Sequence, residues 1–147
     1  MNRPALHPIA GALAALVICA AIMPRDRASA QSTPPRSIWD GVYTEQQALG
    51  GEALYPDACS RCHGDELEGD EAPALRTEEF FKDWKGRTLA DLFRRVHEAM
   101  PYDSPGSITS AQTVDLIAYI FSRNHVPAGK TPMPTDLLVL RQIRIDK

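Results

Sequence analysis

Apolar residues along this chain recur with helical spacing, and nowhere do they alternate long enough to build a sheet. Leu89, Leu92, Phe93 and Val96 fall at i, i+3, i+4 and i+7, one stripe on the face of a helix. Thr88-x-x-Asp91 stands ahead of them in capping-box spacing, and Met100-Pro101 ends the run. Val114, Ile117, Ile120 and Phe121 share a second register behind Thr109-x-x-Gln112, so a strong helix is expected to finish near Asn124, before Pro127. An earlier helix is expected from Thr44, with Thr44-x-x-Gln47 as its box, to Tyr55; Pro56 should stop it, because proline disfavours helical backbone in the residue ahead. A short helix over 78–84 capped by Thr77, and another over 135–143 carrying Leu137, Leu138, Leu140 and Ile143, complete the elements. Residues 64–76 hold Gly64, Gly69 and Pro73 among charges and read as loop. The fold class expected is all-α, without internal repeats.

The first thirty residues follow a different pattern. Arg3 gives a basic start, Ile9 to Met23 is an unbroken apolar run, Pro24 interrupts it, and Ala28-Ser29-Ala30 offers the small residues a signal peptidase reads. The run is shorter than the roughly 20 residues that cross a bilayer core, so a cleaved signal is expected; an uncleaved membrane anchor is the alternative. A lipoprotein site at Cys19 is disfavoured by Ile18 before it. The organisation expected is a signal peptide at 1–30, a polar linker at 31–39, a domain at 40–125, and a C-terminal extension at 126–147 packing back on the domain. Docking of that extension onto a dehydrogenase is the alternative.

Cleavage after Ala30 takes 30 of the 147 residues and leaves 117, enough for one domain with a modest core. The formal charge of −3 becomes −5, since Arg3, Arg25, Arg27 and Asp26 leave together. Five of the seven residues from Asp65 to Glu71 are acidic, and no basic stripe appears, which disfavours nucleic acid as a partner. The acidic run is a solvated loop or a face that steers a basic partner. Cys19 also leaves, so Cys59 and Cys62 are the thiols of the exported chain, and both are free of a structural disulfide with any third cysteine.

Those two cysteines lie in Cys59-Ser60-Arg61-Cys62-His63. Two thiols at this spacing can add across the vinyl groups of one porphyrin, and the histidine that follows is carried under the ring as an iron ligand; the pattern reads as an attachment site for one haem c. A structural zinc site would need a second ligand pair that the chain lacks. A thiol–disulfide centre would be expected beside a βαβ pattern, which is also missing. A second iron ligand is then sought among two methionines and two histidines. Met100 opens a proline-rich loop between two helices and can bring a soft sulfur to the other haem face, the usual partner of histidine in electron carriers. Met133, within Pro132-Met133-Pro134, would have to reach back over the domain. His97, one turn before Met100, is the competitor, and would give bis-histidine iron at a lower potential. His125 reads as a helix-end residue, favoured there by the macrodipole when protonated, and His7 departs with the signal.

Together with Gly51-x-x-x-Tyr55, Ala72-Pro73-Ala74-Leu75, Met100-Pro101 and Leu116-Ile117-Ala118-Tyr119-Ile120, the pentapeptide resembles class I c-type cytochromes of the small monohaem bacterial kind, over residues 40–125. The resemblance implies the cytochrome c fold, with helices wrapped around one haem. It implies that the first and last helices cross at Gly51 and Tyr119. It further implies that the Pro73 carbonyl accepts a hydrogen bond from the ligand histidine His63, and that Trp84 and Arg87 approach the haem propionates; core packing for Trp84 and a surface role for Arg87 are the alternatives. The 126–147 segment departs from the shortest members.

The function expected is single-electron transfer by an exported, periplasmic, monomeric carrier, not an enzyme, with iron held by His63 and Met100. Its partners would be redox proteins: a dehydrogenase as donor, an oxidase or another cytochrome as acceptor. A membrane would enter only through an uncleaved signal. The alternatives are a dedicated haem subunit of a periplasmic dehydrogenase such as a quinoprotein; a gas sensor or peroxidase with an open iron position; and a thiol oxidoreductase.

Overall fold

Three reciprocal capping boxes start the three longest helices, and they do so where the Thr-x-x-Gln/Asp spacings stand. In the computed structural model, which describes residues 36–146, Thr44 and Gln47 exchange backbone-to-side-chain bonds at the start of α1, Glu45–Tyr55. Thr88 and Asp91 do the same for α4, Leu89–Ala99, and Thr109 and Gln112 for α5, Ser110–Arg123. Each box satisfies two of the amides that a helix start leaves free, at about 1 kcal/mol per capping side chain. The export segment expected at 1–30, with His7 and Cys19, and residues 31–35 of the expected linker lie outside the described residues.

The helical path does not stop at Pro56. A π turn over Pro56–Ser60 continues α1 into α2, Arg61–His63, with Pro56 at φ −55 and ψ −43. Proline is tolerated as the first residue of this turn because its ring already fixes a helical φ, and the wider turn relieves the clash with the preceding carbonyls. Thr77 likewise does not cap α3, Thr77–Trp84: it is the first helical residue, one position too late, and the N-cap is Arg76 without a side-chain bond.

Two further expectations change at the chain ends. Residues 36–39 are part of the domain and not a linker. Arg36–Ser37 forms β1, paired in parallel with β2, Ile143–Arg144, and Ile38 is fully buried. Strands of two residues are too short to leave an alternating pattern in sequence. The helix expected over 135–143 is confined to α6, Leu137–Leu140, because the following backbone is spent elsewhere. Arg36 N donates to Gln142 O at 3.0 Å, Ile145 N to Arg87 O at 3.0 Å, and Gly86 N to Ile145 O at 2.7 Å. Leu140, Ile143 and Ile145 are each buried to 1% exposure or less, worth about 1.5–3 kcal/mol apiece against leaving them in water.

At the centre, α5 is buried nearly all round, from Thr113 to Phe121 with Asp115 alone half-buried. It crosses α1 at Gly51. A Cβ on Gly51 would stand 2.0 Å from the Asp115 carbonyl oxygen and 2.8 Å from the Tyr119 Cβ, so only glycine lets the two backbones meet. One turn on, the Tyr55 and Tyr119 rings pack with centroids 5.3 Å apart.

Two outcomes follow from the crossing. Gly51→Ala has no room to relax, since the obstacle is main chain, and is expected to lower unfolding free energy in urea by about 3 kcal/mol or more. Asp115, whose carboxyl lies against Gly50, is held above its ordinary range by burial. A carboxyl whose folded value is raised costs stability as pH climbs past the unfolded value of about 4 and through the folded one. Asp115→Asn should therefore gain stability over the wild type at neutral pH and match it near pH 3, in urea titrations run at both.

Candidate functional site

The π turn and α2 place the whole pentapeptide on one short helical path directly after α1. Cys59 lies in the turn, and Cys62 and His63 lie in α2. Both thiols are free and half-buried. Burial pushes the Cys59 thiol up to about 11, the opposite of the depressed value a nucleophilic thiolate needs, which runs against thiol–disulfide chemistry. Among the described residues no group of three or more His, Cys, Asp or Glu side chains could hold a metal ion by itself, so the structure offers no closed zinc site.

Gly64 ends α2 at φ +80, left-handed backbone that favours glycine. The loop that follows is built back onto the helix it leaves. Gly69 N donates to His63 O at 2.8 Å, Ala72 N to Cys62 O at 2.9 Å, and the Tyr55 hydroxyl to Gly64 O at 2.8 Å. This brings Pro73 O to 2.7 Å from His63 Nδ1. A carbonyl oxygen only accepts, so Nδ1 carries the proton and Nε2 is the ring nitrogen with a free lone pair. A carbonyl partner at Nδ1 also orients a metal-binding imidazole and raises its basicity.

The loop's acidity hides an anchor that the sequence does not announce. Leu67 sits among five carboxylates yet is fully buried, in left-handed backbone at φ +64, with its carbonyl accepting from Leu75 N at 2.9 Å. Glu66 pairs with Arg123 and, at 3.9 Å, with Arg76. Backbone amides, its own first and that of Glu66, hold the Glu68 carboxyl below its usual range.

Met100 is the C-cap of α4 in extended backbone and is half-buried. The loop it opens is tied to the attachment segment: the Arg61 guanidinium pairs with Asp103. His97 and Met133 have contacts of their own. His97 Nδ1 lies 3.3 Å from Thr113 Oγ1, and its ring packs 5.4 Å from that of Phe93. Met133 is 2% exposed and bound through its backbone to the Gln47 side chain, N to Oε1 at 2.8 Å and O from Nε2 at 3.1 Å. His125 is exposed just beyond α5 at φ +61. Arg87 lies over the Trp84 ring, 5.6 Å from its centroid, and donates through Nε to Asp83 O at 3.1 Å.

A family model described as cytochrome c oxidase, cbb3-type, subunit III matches residues 46–120, from the first turn of α1 to the end of the core helix. The chain belongs to this family of c-type cytochrome domains. It is thus an all-α haem protein of electron transfer, and its cofactor is covalently bound haem c. Among solved structures, a crystal structure of the sulfane dehydrogenase SoxCD from Paracoccus pantotrophus matches with 21% identity and a TM-score of 0.47, covering 73% of this chain and 61% of that chain. No curated protein matches the chain. The residues of the cytochrome's pentapeptide fit the cofactor: two thiols free to form thioethers stand beside an imidazole whose Nδ1 is already spent on Pro73.

The Arg61–Asp103 pair is exposed on both sides, and such pairs are worth about 1 kcal/mol or less. Asp103→Asn is accordingly expected to leave global stability within that margin. It should loosen the loop alone, with faster hydrogen exchange at the Ser104 and Ser107 amides, which bond within it to Pro101 O and Ser104 O.

Proposed function

We propose that this cytochrome is an exported, monomeric, single-haem electron carrier of the periplasm and not an enzyme, with Cys59 and Cys62 as thioether donors and His63 and Met100 as axial ligands. The observation that carries the reading is the His63 Nδ1–H bond to Pro73 O at 2.7 Å, which leaves Nε2 free on the helix that bears both thiols. Bound haem c supplies a one-electron couple between ferrous and ferric iron. Pro73 holds the imidazole in one tautomer and one orientation through both oxidation states. The Arg61–Asp103 pair keeps the Met100 loop against the attachment helix. Packing of His97 on Thr113 and Phe93, and of Met133 in the core, favours Met100 as the sulfur that closes the sixth position. A His/Met pair raises the reduction potential, and a filled sixth position keeps oxygen and peroxide from the iron.

Redox partners dock on the surface between Cys62 and the Pro101-Tyr102 loop, where Tyr102 is 87% exposed, through the small interfaces of short-lived electron-transfer complexes. A dehydrogenase is the proposed donor, and an oxidase or a second cytochrome the acceptor. Residues 1–30 supply the export signal. Among the described residues no helix is long and apolar enough to cross a membrane.

Recombinant protein exported to the periplasm is expected to keep its pigment through acid–acetone extraction and to show the near-infrared band of sulfur-ligated ferric iron. Met100→Ala should abolish that band and let the reduced protein bind carbon monoxide, with the haem still attached. His97→Ala should keep the band and lose about 1–2 kcal/mol of stability, from one hydrogen bond and one ring contact. A band that survives Met100→Ala would refute the assignment of the sixth ligand.

A further inference from the structure

Asn124 ends α5 as its C-cap and is 6% exposed, one of two buried polar residues among the described residues. Its Nδ2 donates to two carbonyls, Ile120 O at 2.8 Å and Leu75 O at 2.9 Å. Two acceptors on one end of the amide identify that end as the nitrogen, since the flipped amide would set oxygen against oxygen. Oδ1 is then left buried without a hydrogen-bond partner, a costly state for an acceptor. The side chain is thus turned in favour of its donors, and the donor that leaves its own helix reaches the loop in front of α3.

That loop is the one that holds His63. Ala72 N is bonded to Cys62 O, and Leu75 N to Leu67 O; Pro73, between them, presents its carbonyl to His63 Nδ1. The attachment helix pins the segment at Ala72. Core helix α5 pins it at Leu75, through Asn124. Arg123, the residue before, adds its pair with Glu66 in the same loop.

We infer that Asn124 is a positioning residue for His63: by anchoring Leu75 it fixes the aim of the Pro73 carbonyl, and so the basicity of the imidazole that faces the iron. The inference rests on His63 being an axial ligand. Without Asn124, Leu75 keeps only its amide bond to Leu67 O; the segment then turns its Pro73 carbonyl partly to water, and the bond at Nδ1 weakens. A less basic imidazole stabilises ferric iron less, so the midpoint potential moves upward.

The test uses the intact haem-loaded protein. Asn124→Leu removes the donor at similar volume; Asn124→Ser is polar but too short to reach Leu75, and serves if the leucine variant does not accumulate. Tyr43→Phe is the control, because it removes one buried bond at the same end of α5, the hydroxyl to Val126 O at 2.6 Å, without touching the 72–75 segment. Redox titration should show the Asn124 variant shifted upward by as much as tenfold in the ferrous-to-ferric ratio at fixed poise, about 59 mV for one electron. Exchange of the His63 ring N–H with solvent, followed by NMR, should quicken. Tyr43→Phe should change neither. An unchanged potential and unchanged ring exchange in the Asn124 variant, with imidazole still on the iron, overturn the inference alone. A wild-type spectrum without an imidazole ligand overturns the ligation and the inference with it.

Discussion

The contact on which the molecule depends is the approach of two backbones at Gly51 and Asp115. A carbonyl oxygen stands where the glycine's Cβ would be, 2.0 Å from its ideal position, so α1 and α5 touch through main chain. Each helix then leads to one half of the site. The path of α1 runs on through Pro56 without a break and delivers Cys59, Cys62 and His63 at its end. At its C-terminus α5 carries Arg123 and Asn124, whose side chains reach back to the 64–76 loop at Glu66 and Leu75. An error in the crossing would therefore displace the imidazole and its carbonyl partner relative to each other.

The loop between those halves solves a polar accounting problem. Thirteen residues without regular structure, rich in carboxylates, would gain little by themselves from packing. Burying Leu67 gives the segment an apolar plug, at the cost of left-handed backbone for a branched side chain. Backbone bonds to His63 O, Cys62 O and Leu67 O then consume the amides of Gly69, Ala72 and Leu75. Of the acidic side chains, Glu66 meets Arg76 and Arg123, and Glu68 accepts from the Glu66 amide. What reads as a charge run is the solvated face of a clamp whose inner face is main chain.

Much of this was legible in the residues. Thr44-x-x-Gln47, Thr88-x-x-Asp91 and Thr109-x-x-Gln112 each state a helix start in local chemistry, and each start is where it should be. The His63-to-Pro73 bond and the Gly51 crossing, both implied by a family resemblance, have the geometry the resemblance requires. Pro56 misled because its effect depends on the turn that receives it: at the first position of a wider turn its fixed φ continues a helix. β1 and β2 were invisible because two-residue strands have no period, and their pairing joins residues more than 100 positions apart. Leu67 and Asn124 were missed for a related reason. One apolar residue among acids and one amide at a helix end have no pattern, and their roles come from what the fold brings to them.

The same packing bears on the proposal that Met100 closes the iron, the point the sequence left to be weighed. Met133 is held at both its backbone polar groups by one side chain, Gln47, whose Oε1 also serves the first turn of α1. Freeing Met133 to ligate would break that cap and vacate a core position as well. His97 would have to leave Thr113 and Phe93, on a helix whose capping box and apolar stripe fix its rotation against α5. Met100 has neither tie. It has left the helix, its backbone is extended, and the loop behind it is fastened at Asp103 to the arginine between the two attachment cysteines. The proposal of Met100 therefore rests less on any affinity of the sulfur than on the contacts that hold Met133 and His97 in place.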